Sequence, residues 1–487
     1  MTASPTTIQA LRKPRLLTTE VLAGIVTTLA LIPEVISFSV IAGVDPKVSL
    51  IASVVLAISM SILGGRPAMI TAAAGAVALV VAPMVREHGA EYLLPTVILA
   101  GIVQILFGVT GLARLMRFIP RSVMIGFVNA LGILIFTAQV PHLLGVPWLV
   151  YPLFALTLLI VIGLPRLTKA VPAPLVAIVV VTAITMIAHL SVPTVGDEGA
   201  ISGGLPGITP LLVPLNLETL GIIGPTALSV AFVGLMETLL TAKLVDDITD
   251  TRSHKGRESW ALGVANILAG FWGGIAGCAM IGQTVVNVKL GRARTRISTF
   301  IAGLFLLALV TVFSDVMEQI PMIALAAVMM VVAVSTVDLH SIRPSTLRRM
   351  PLSETAVMVV TVAVVVATGN LAIGVGIGVI LAIVLFARRV AHVVNVRRTQ
   401  RSDGVVYHVH GPLFFGSSND LVEQFSYADD PAEVTVDFSA AQIWDASTVA
   451  ALDSVQAKYA DHGITVHFTG LDARSTRFHG RLSGTLG

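Results

Sequence analysis

The chain has 487 residues, 55% hydrophobic and only 12% charged, with a mean hydropathy of +0.89; that excludes an ordinary soluble domain and makes it an integral membrane protein. The net charge of +3 comes from basic residues placed between apolar runs, so it does not point to a nucleic-acid partner. A single cysteine, Cys278, excludes an intrachain disulfide and reads as a small buried residue.

Residues 1–18 form a polar N-terminal segment without the small-residue cleavage signature of a signal peptide, and are expected to be retained. From residue 19 to 396 apolar runs follow one another, each at about 17–25 residues long enough to cross a bilayer. Arg12, Lys13 and Arg15 precede the first run, and further basic residues fall in alternate connections. They are Arg66; Arg114, Arg117 and Arg121; Arg166 and Lys169; Lys243, Arg252, Lys255 and Arg257; Lys289, Arg292, Arg294 and Arg296; Arg343, Arg348 and Arg349; and Arg388, Arg389, Arg397, Arg398 and Arg401. On the opposite side lie only Lys47 and Arg86. The positive-inside rule predicts about fourteen spans in the cell membrane, with both termini cytoplasmic.

The first run, TTLALIPEVISFSVIAG, places Pro33 and Glu34 in mid-membrane, where a carboxylate costs about 2.5–3.5 kcal/mol on insertion scales. Residues 67–85, PAMITAAAGAVALVVAPMV, are short and dotted with small residues. The connection 191–221 holds acids, prolines and glycines but no Lys or Arg, and reads as an irregular external loop. In FVGLMETLLTAKLV, residues 232–245, Glu237 and Thr241 stand four apart and share a helix face. A second short segment, GCAMIGQTVVNVKLG, occupies 277–291. FIPRSVMIGFVNALGILIF at 118–136 echoes QIPMIALAAVMMVVAVSTV at 319–337, so the halves 19–190 and 222–396 read as seven-span repeats of opposite orientation, each with an interrupted third segment.

A half-helix beginning inside the membrane leaves its first N–H groups unpartnered and concentrates about half a positive charge there. Two such ends meeting head to head make an anion site. The candidate N–H-lined positions are Ala74, Gly75 and Ala76, and Gly282, Gln283 and Thr284; the competing reading is that small residues merely let helices pack closely. Glu34 and Glu237 are retained if each binds a proton or Na⁺, or if a neutral carboxyl simply holds two helices together. Carboxylate and hydroxyl oxygens, as in Glu237 with Thr241, suit a hard cation. The GVGIG run at 374–378 lies in the last span and reads as a packing seam rather than a dinucleotide fingerprint. No Walker A motif, organic-cofactor signature or nucleophile–base arrangement is present, which argues against an ATP-driven pump and against an enzyme.

The tail, 403–487, turns polar. VVYHVHG, VTVDF and ITVHFTG read as strands and STVAALDSVQAKYADHG as a helix, giving a small α/β domain. Asp445-Ala446-Ser447 stands at the start of that helix, where Asp445 or Ser447 ordinarily serves as N-cap. His408 and His410 alternate on one strand face without a third ligand, and read as surface residues.

IPEVISFSVIAGVDP, VGLMETLLTAK and GVANILAGFWGGIAGCAMIGQTVVNVKLGRARTRIS resemble the sulfate permease (SulP) family of anion transporters, and the tail resembles a STAS domain (sulfate transporter and anti-sigma factor antagonist). The resemblance implies core and gate domains, substrate held between the third and tenth spans, elevator-type transport, a homodimer, and substrates such as sulfate, bicarbonate, chloride or fumarate. It places Na⁺ or a proton on the carboxylate and threonine matching Glu237 and Thr241. It also implies a cytoplasmic protein partner for the tail and a phosphorylatable position at Ser447. The sequence departs from better-known members in Pro33-Glu34, commonly Pro-Gln, and in Gly282-Gln283-Thr284, often Ser-Arg-Ser. A fixed cation is thereby lost, and a co-bound cation at Glu237 would restore the charge, so symport is expected. The alternatives are an anion-binding sensory protein that signals through its tail, and a nucleobase permease.

Overall fold

The computed structural model describes residues 5–113, 119–168, 172–199, 207–214, 216–391, 394–401 and 404–484. Arg114, Arg117 and Lys169, used above for topology, and part of the 191–221 connection lie outside them. The chain divides into two compact units, Met1–Val379 and Ile380–Gly487.

The first half of the membrane unit contains α1 (Pro14–Ala42), α2 (Pro46–Leu63), β1 (Thr71–Ala73), α3 (Gly75–His88), α4 (Leu93–Thr110), α5 (Arg121–Gln139), α6 (Val150–Leu167) and α7 (Ala173–Ile187). The second half repeats the pattern with α8 (Leu217–Thr249), α9 (Lys255–Gly270), β2 (Gly277–Ala279), α10 (Ile281–Val285) and α11 (Arg296–Val312). It continues with α12 (Met322–Thr336), α13 (Leu352–Thr368) and α14, which starts at Leu371 and runs through the last apolar stretch. Among the described residues seven helices are long and apolar enough to cross a membrane, and α7, α11, α12 and α13 are shorter apolar helices. In each half the third segment is a strand followed by a short helix, and α10 passes into a π-helical turn, Val286–Leu290.

The ends of these elements follow from local chemistry. Pro14 and Pro46 open α1 and α2, where a missing N–H has no intrahelical use. Gly43 closes α1 in the left-handed region at φ 72°, which favours a residue without a Cβ. Asn216 caps α8 by accepting from the Thr219 N–H at 2.8 Å. The expected external loop therefore stops at 216, because this cap starts a helix at Leu217. The loop also contains a short helix, Val195–Glu198, fixed by a Thr194–Asp197 capping box.

Helices α1 to α4 pack with α8 to α11, and α5 to α7 with α12 and α13, giving the two groups of a core and gate arrangement. Small residues set the closest seams. A Cβ added to Gly101 on α4 would stand 2.6 Å from the Gly263 carbonyl oxygen on α9. In the GVGIG run, Gly374 and Gly378 face Val365 and Thr361 of α13, whereas Gly376 faces open space.

The second unit holds a sheet in the order β3-β4-β5-β6, formed by β3 (Asn395–Arg401), β4 (Gly404–Leu413), β5 (Glu433–Ile443) and β6 (Thr465–Thr469). Its helices are α15 (Ser418–Glu423), α16 (Ala446–Asp461) and α17 (Ala473–Leu482). β3 runs antiparallel to β4, and β4, β5 and β6 are mutually parallel. Reading NVRRTQR as strand needs the tertiary context: most of it is exposed, and its arginines guard a sheet edge against further pairing. The sheet thus takes in residues before 403. His408 Nδ1 stands 3.0 Å from Asp437 Oδ2, and no group of three or more His, Cys, Asp or Glu residues suited to a metal occurs among the described residues. Hydrogen bonds from Ser439 and from His408 hold the Asp437 carboxyl below its usual range.

The core of this unit is polarised around one acid. Asp430 accepts hydrogen bonds from the Tyr407 and Tyr459 hydroxyls, both at 2.6 Å, and from Arg398 at 2.8 Å. Burial, then the Asp430 bond, pushes the Tyr459 phenol well above its usual range. Asp430→Ala strips all three donors of their acceptor and is expected to destabilise the unit by about 3–5 kcal/mol. Hydrogen exchange on the full chain should then show β4, β5 and α16 amides losing protection while the α4 and α9 amides keep theirs.

Candidate anion-binding site

The two interrupted segments meet. β1 and β2 pair antiparallel, Thr71 opposite Ala279, Ala72 opposite Cys278 and Ala73 opposite Gly277, and all six residues are buried. A two-stranded ribbon inside a membrane leaves its outer edges without water to satisfy them, so side chains must do it. The Ala73 N–H donates to Ser53 Oγ at 3.1 Å, the Gly277 N–H to Asn266 Oδ1 at 2.7 Å and the Ala279 N–H to Thr238 Oγ1 at 3.0 Å. The Gly277 carbonyl accepts from Asn266 at 3.2 Å, and the Ala279 carbonyl from Thr241 at 3.2 Å. Helices α2, α8 and α9 thus clamp the crossing from outside.

The ribbon continues into the two helix starts. Ala74 is the N-cap residue of α3, and the Ala78 N–H makes the first intrahelical bond back to it at 2.9 Å. Gly75, Ala76 and Val77 are therefore the residues whose N–H groups precede the first helical bond. In α10 the N-cap is Met280, and the Thr284 N–H closes the first bond at 3.0 Å. This corrects the expected N–H-lined set by one position at each end: Ala74 becomes the N-cap and Val77 joins Gly75 and Ala76, while Thr284 drops out and Ile281 enters beside Gly282 and Gln283. The Thr284 hydroxyl instead accepts from the Ile70 N–H at 3.0 Å, holding the entry to β1. The two ends are unequally covered. A Cβ on Gly75 would lie 2.6 Å from Cε1 of Phe38, whose ring roofs the first turn of α3, whereas at Gly282 no atom lies within 4 Å. Ligand access to the backbone is thus from the α10 side.

Both anomalous carboxylates belong to this place. Glu237, 8% exposed, accepts from the Cys278 thiol at Oε2, 2.8 Å away, so it faces β2 and not lipid. The side chain of Gln283, which is 3% exposed, reaches Glu34 on α1. Among the described residues neither acid forms an ion pair with a basic side chain. The two carboxyls thus stand at the same interrupted segment, Glu237 against β2 and Glu34 against the start of α10. Thr241, one turn on from Glu237, donates to the Glu237 backbone carbonyl at 2.8 Å as well as to Ala279.

Sequence reading reached Glu34, Glu237, Thr241 and the small residues of both segments. It missed the clamps Ser53, Thr238 and Asn266, the roof Phe38, and the thiol of Cys278 as a donor to Glu237. An asparagine in the middle of the apolar run GVANILAG was the one signal that could have exposed a clamp. Ser447, taken from the tail motif, is exposed on the first turn of α16, and Asp445 is the N-cap, accepting from the Thr448 N–H at 3.1 Å.

Two cavities open in the membrane unit, and neither is lined by the residues of the crossing. One of about 440 Å³, lined by Thr19, Val26, Pro165 and Val286 among others, separates α1 and the π-turn from the α6–α7 region. Another of about 640 Å³ lies beside the C-terminal half of α8 and reaches Met236, next to Glu237.

Two discontinuous segments crossing at the centre of a repeated helical bundle, followed by a small α/β unit, are the architecture of a membrane transporter with an appended domain. The sulfate permease family model matches residues 17–151 and 146–361, and the STAS domain model matches 395–479. The chain belongs to the sulfate permease family and carries a STAS domain. It is 50% identical over 456 residues, 94% of this chain and 95% of the other, to the Bacillus subtilis (strain 168) protein named "Putative sulfate transporter YbaR". It is 23% identical over 520 residues, 94% of this chain and 89% of the other, to the bicarbonate transporter BicA of Picosynechococcus sp.. In fold it resembles the murine Slc26a9 anion transporter in an inward-facing state, with a TM-score of 0.82 at 16% identity over 95% of this chain and 87% of that one. It also resembles the transmembrane domain of a cyanobacterial BicA, with a TM-score of 0.65 at 22% identity over 74% and 98%.

Proposed function

We propose that the protein is a secondary active transporter of a small anion, with sulfate, bicarbonate and a carboxylate such as fumarate as candidates, coupled to symport of H⁺ or Na⁺. The observation that carries this is that the two helix starts lie beside two carboxyls, Glu34 and Glu237, that have no basic ion-pair partner among the described residues. The anion is held by N–H groups among those of Gly75, Ala76 and Val77 at α3 and Ile281, Gly282 and Gln283 at α10. The cation is held at Glu237, as a proton on the carboxyl, or as Na⁺ with Thr241 and the Ala279 carbonyl adding oxygen ligands. Bicarbonate is suggested by the BicA relatives, and sulfate by the name given to the Bacillus protein.

Transport proceeds by an elevator movement of the α1–α4 and α8–α11 group against the α5–α7 and α12–α14 group, in a homodimer whose termini face the cytoplasm. The STAS domain meets a cytoplasmic protein partner, and phosphate on Ser447 would sit at the positive end of α16.

Reconstituted vesicles test this with labelled sulfate, bicarbonate and fumarate under an imposed Na⁺ gradient, then an imposed pH gradient. Accumulation of one anion above its equilibrium level under one of the gradients is expected. Binding without flux would replace the reading with that of a sensory protein, and competition by uracil with that of a nucleobase permease.

A further inference from the structure

A small pocket away from the strand crossing is lined by three guanidinium groups and no carboxylate. It has a volume of about 150 Å³ and is walled by Arg66, Arg252 and Arg294, with Ala68, Val245 and Val288 among its apolar contacts. That is room for several waters, enough for a tetrahedral oxyanion.

Arg66 is built in. It is 8% exposed, and its terminal nitrogens donate to Asp246 at 3.0 Å and to Thr251 at 2.7 Å, and to Thr249 at 2.5 Å. Its buried Nε has no hydrogen-bond partner among the described residues, which is a substantial penalty for a charged group unless an acceptor arrives. Asp246 neutralises one of the three charges. Arg294 is pinned by donating to the Val288 and Ala293 carbonyls at 2.6 and 2.7 Å. Arg252 is exposed and belongs to no ion pair among the described residues.

We propose that this pocket is a second anion site, binding inorganic phosphate or the phosphomonoester of a lipid headgroup. Its walls come from the α2–β1 loop, the C-terminal end of α8 and the stretch following α10, so a bound oxyanion ties the helix carrying Glu237 to both interrupted segments. Occupancy would stiffen the group that holds the transport site without competing for it.

The test is equilibrium binding of labelled phosphate to the full-length protein in detergent at constant ionic strength, beside thermal unfolding in nanodiscs with phosphatidic acid or with phosphatidylcholine alone. Saturable phosphate binding, weakened at least tenfold by Arg252→Gln and by Arg294→Gln but retained in Glu237→Gln, is expected if free phosphate is the ligand. Stabilisation by phosphatidic acid that both arginine variants lose, with no phosphate binding, supports the site with a lipid as its source. The proposal is overturned if neither ligand binds, if binding survives both arginine substitutions, or if Glu237→Gln removes it.

Discussion

Glu237→Gln is expected to abolish concentrative uptake, lowering cation-driven accumulation about 100-fold, the upper part of the range for coupling between two sites, while leaving the protein inserted and folded. Glutamine has nearly the shape of glutamate and still offers an oxygen to the Cys278 thiol, which donates to Glu237 at 2.8 Å in the native protein. It can neither take up a proton nor balance Na⁺. The converging helix ends keep their N–H groups, so anion binding survives in weakened form and downhill leakage replaces coupled transport. Proteoliposomes with a fixed inside-directed cation gradient separate these behaviours, since accumulation and equilibration differ at long times. Accumulation at the native level by this variant would remove Glu237 from the coupling step.

Gln283→Arg is expected to act in the opposite direction, making anion handling independent of the cation. Gln283 is 3% exposed, its side chain reaches Glu34, and it follows directly on the open end of α10. A guanidinium there supplies permanently what the co-bound cation supplies transiently, and it pairs with the acids as it does so. Removing Na⁺ and clamping pH should then change anion affinity less than about twofold, against about tenfold or more in the native protein. An undiminished cation requirement in the variant would show that charge compensation is not what the carboxyls provide.

The fourteen-segment outline was legible because span length and the side on which arginines fall are strong, additive signals. Glu34 and Glu237 stood out because a carboxylate inside an apolar run needs a reason to be there. The crossing itself was not legible. Thr-Ala-Ala and Gly-Cys-Ala are too short to show any alternation, and the groups that satisfy their edges, Ser53, Thr238 and Asn266, come from three separate helices. Thr284 was misplaced because a helix start is fixed by which carbonyl accepts first, here Met280, and composition does not encode that to within one residue. β3 was missed for a related reason: NVRRTQR is strand-forming only because β4 offers it an edge.

If the helix ends and the acids form one site, cation and anion must raise each other's affinity reciprocally. The most direct measurement is the equilibrium affinity of the full-length protein for its transported anion as Na⁺ concentration and pH are varied in turn. The account predicts at least about a tenfold tightening with one of the two cations in the native protein, and none in Glu237→Gln. An anion affinity that ignores both Na⁺ and pH in the native protein would contradict it.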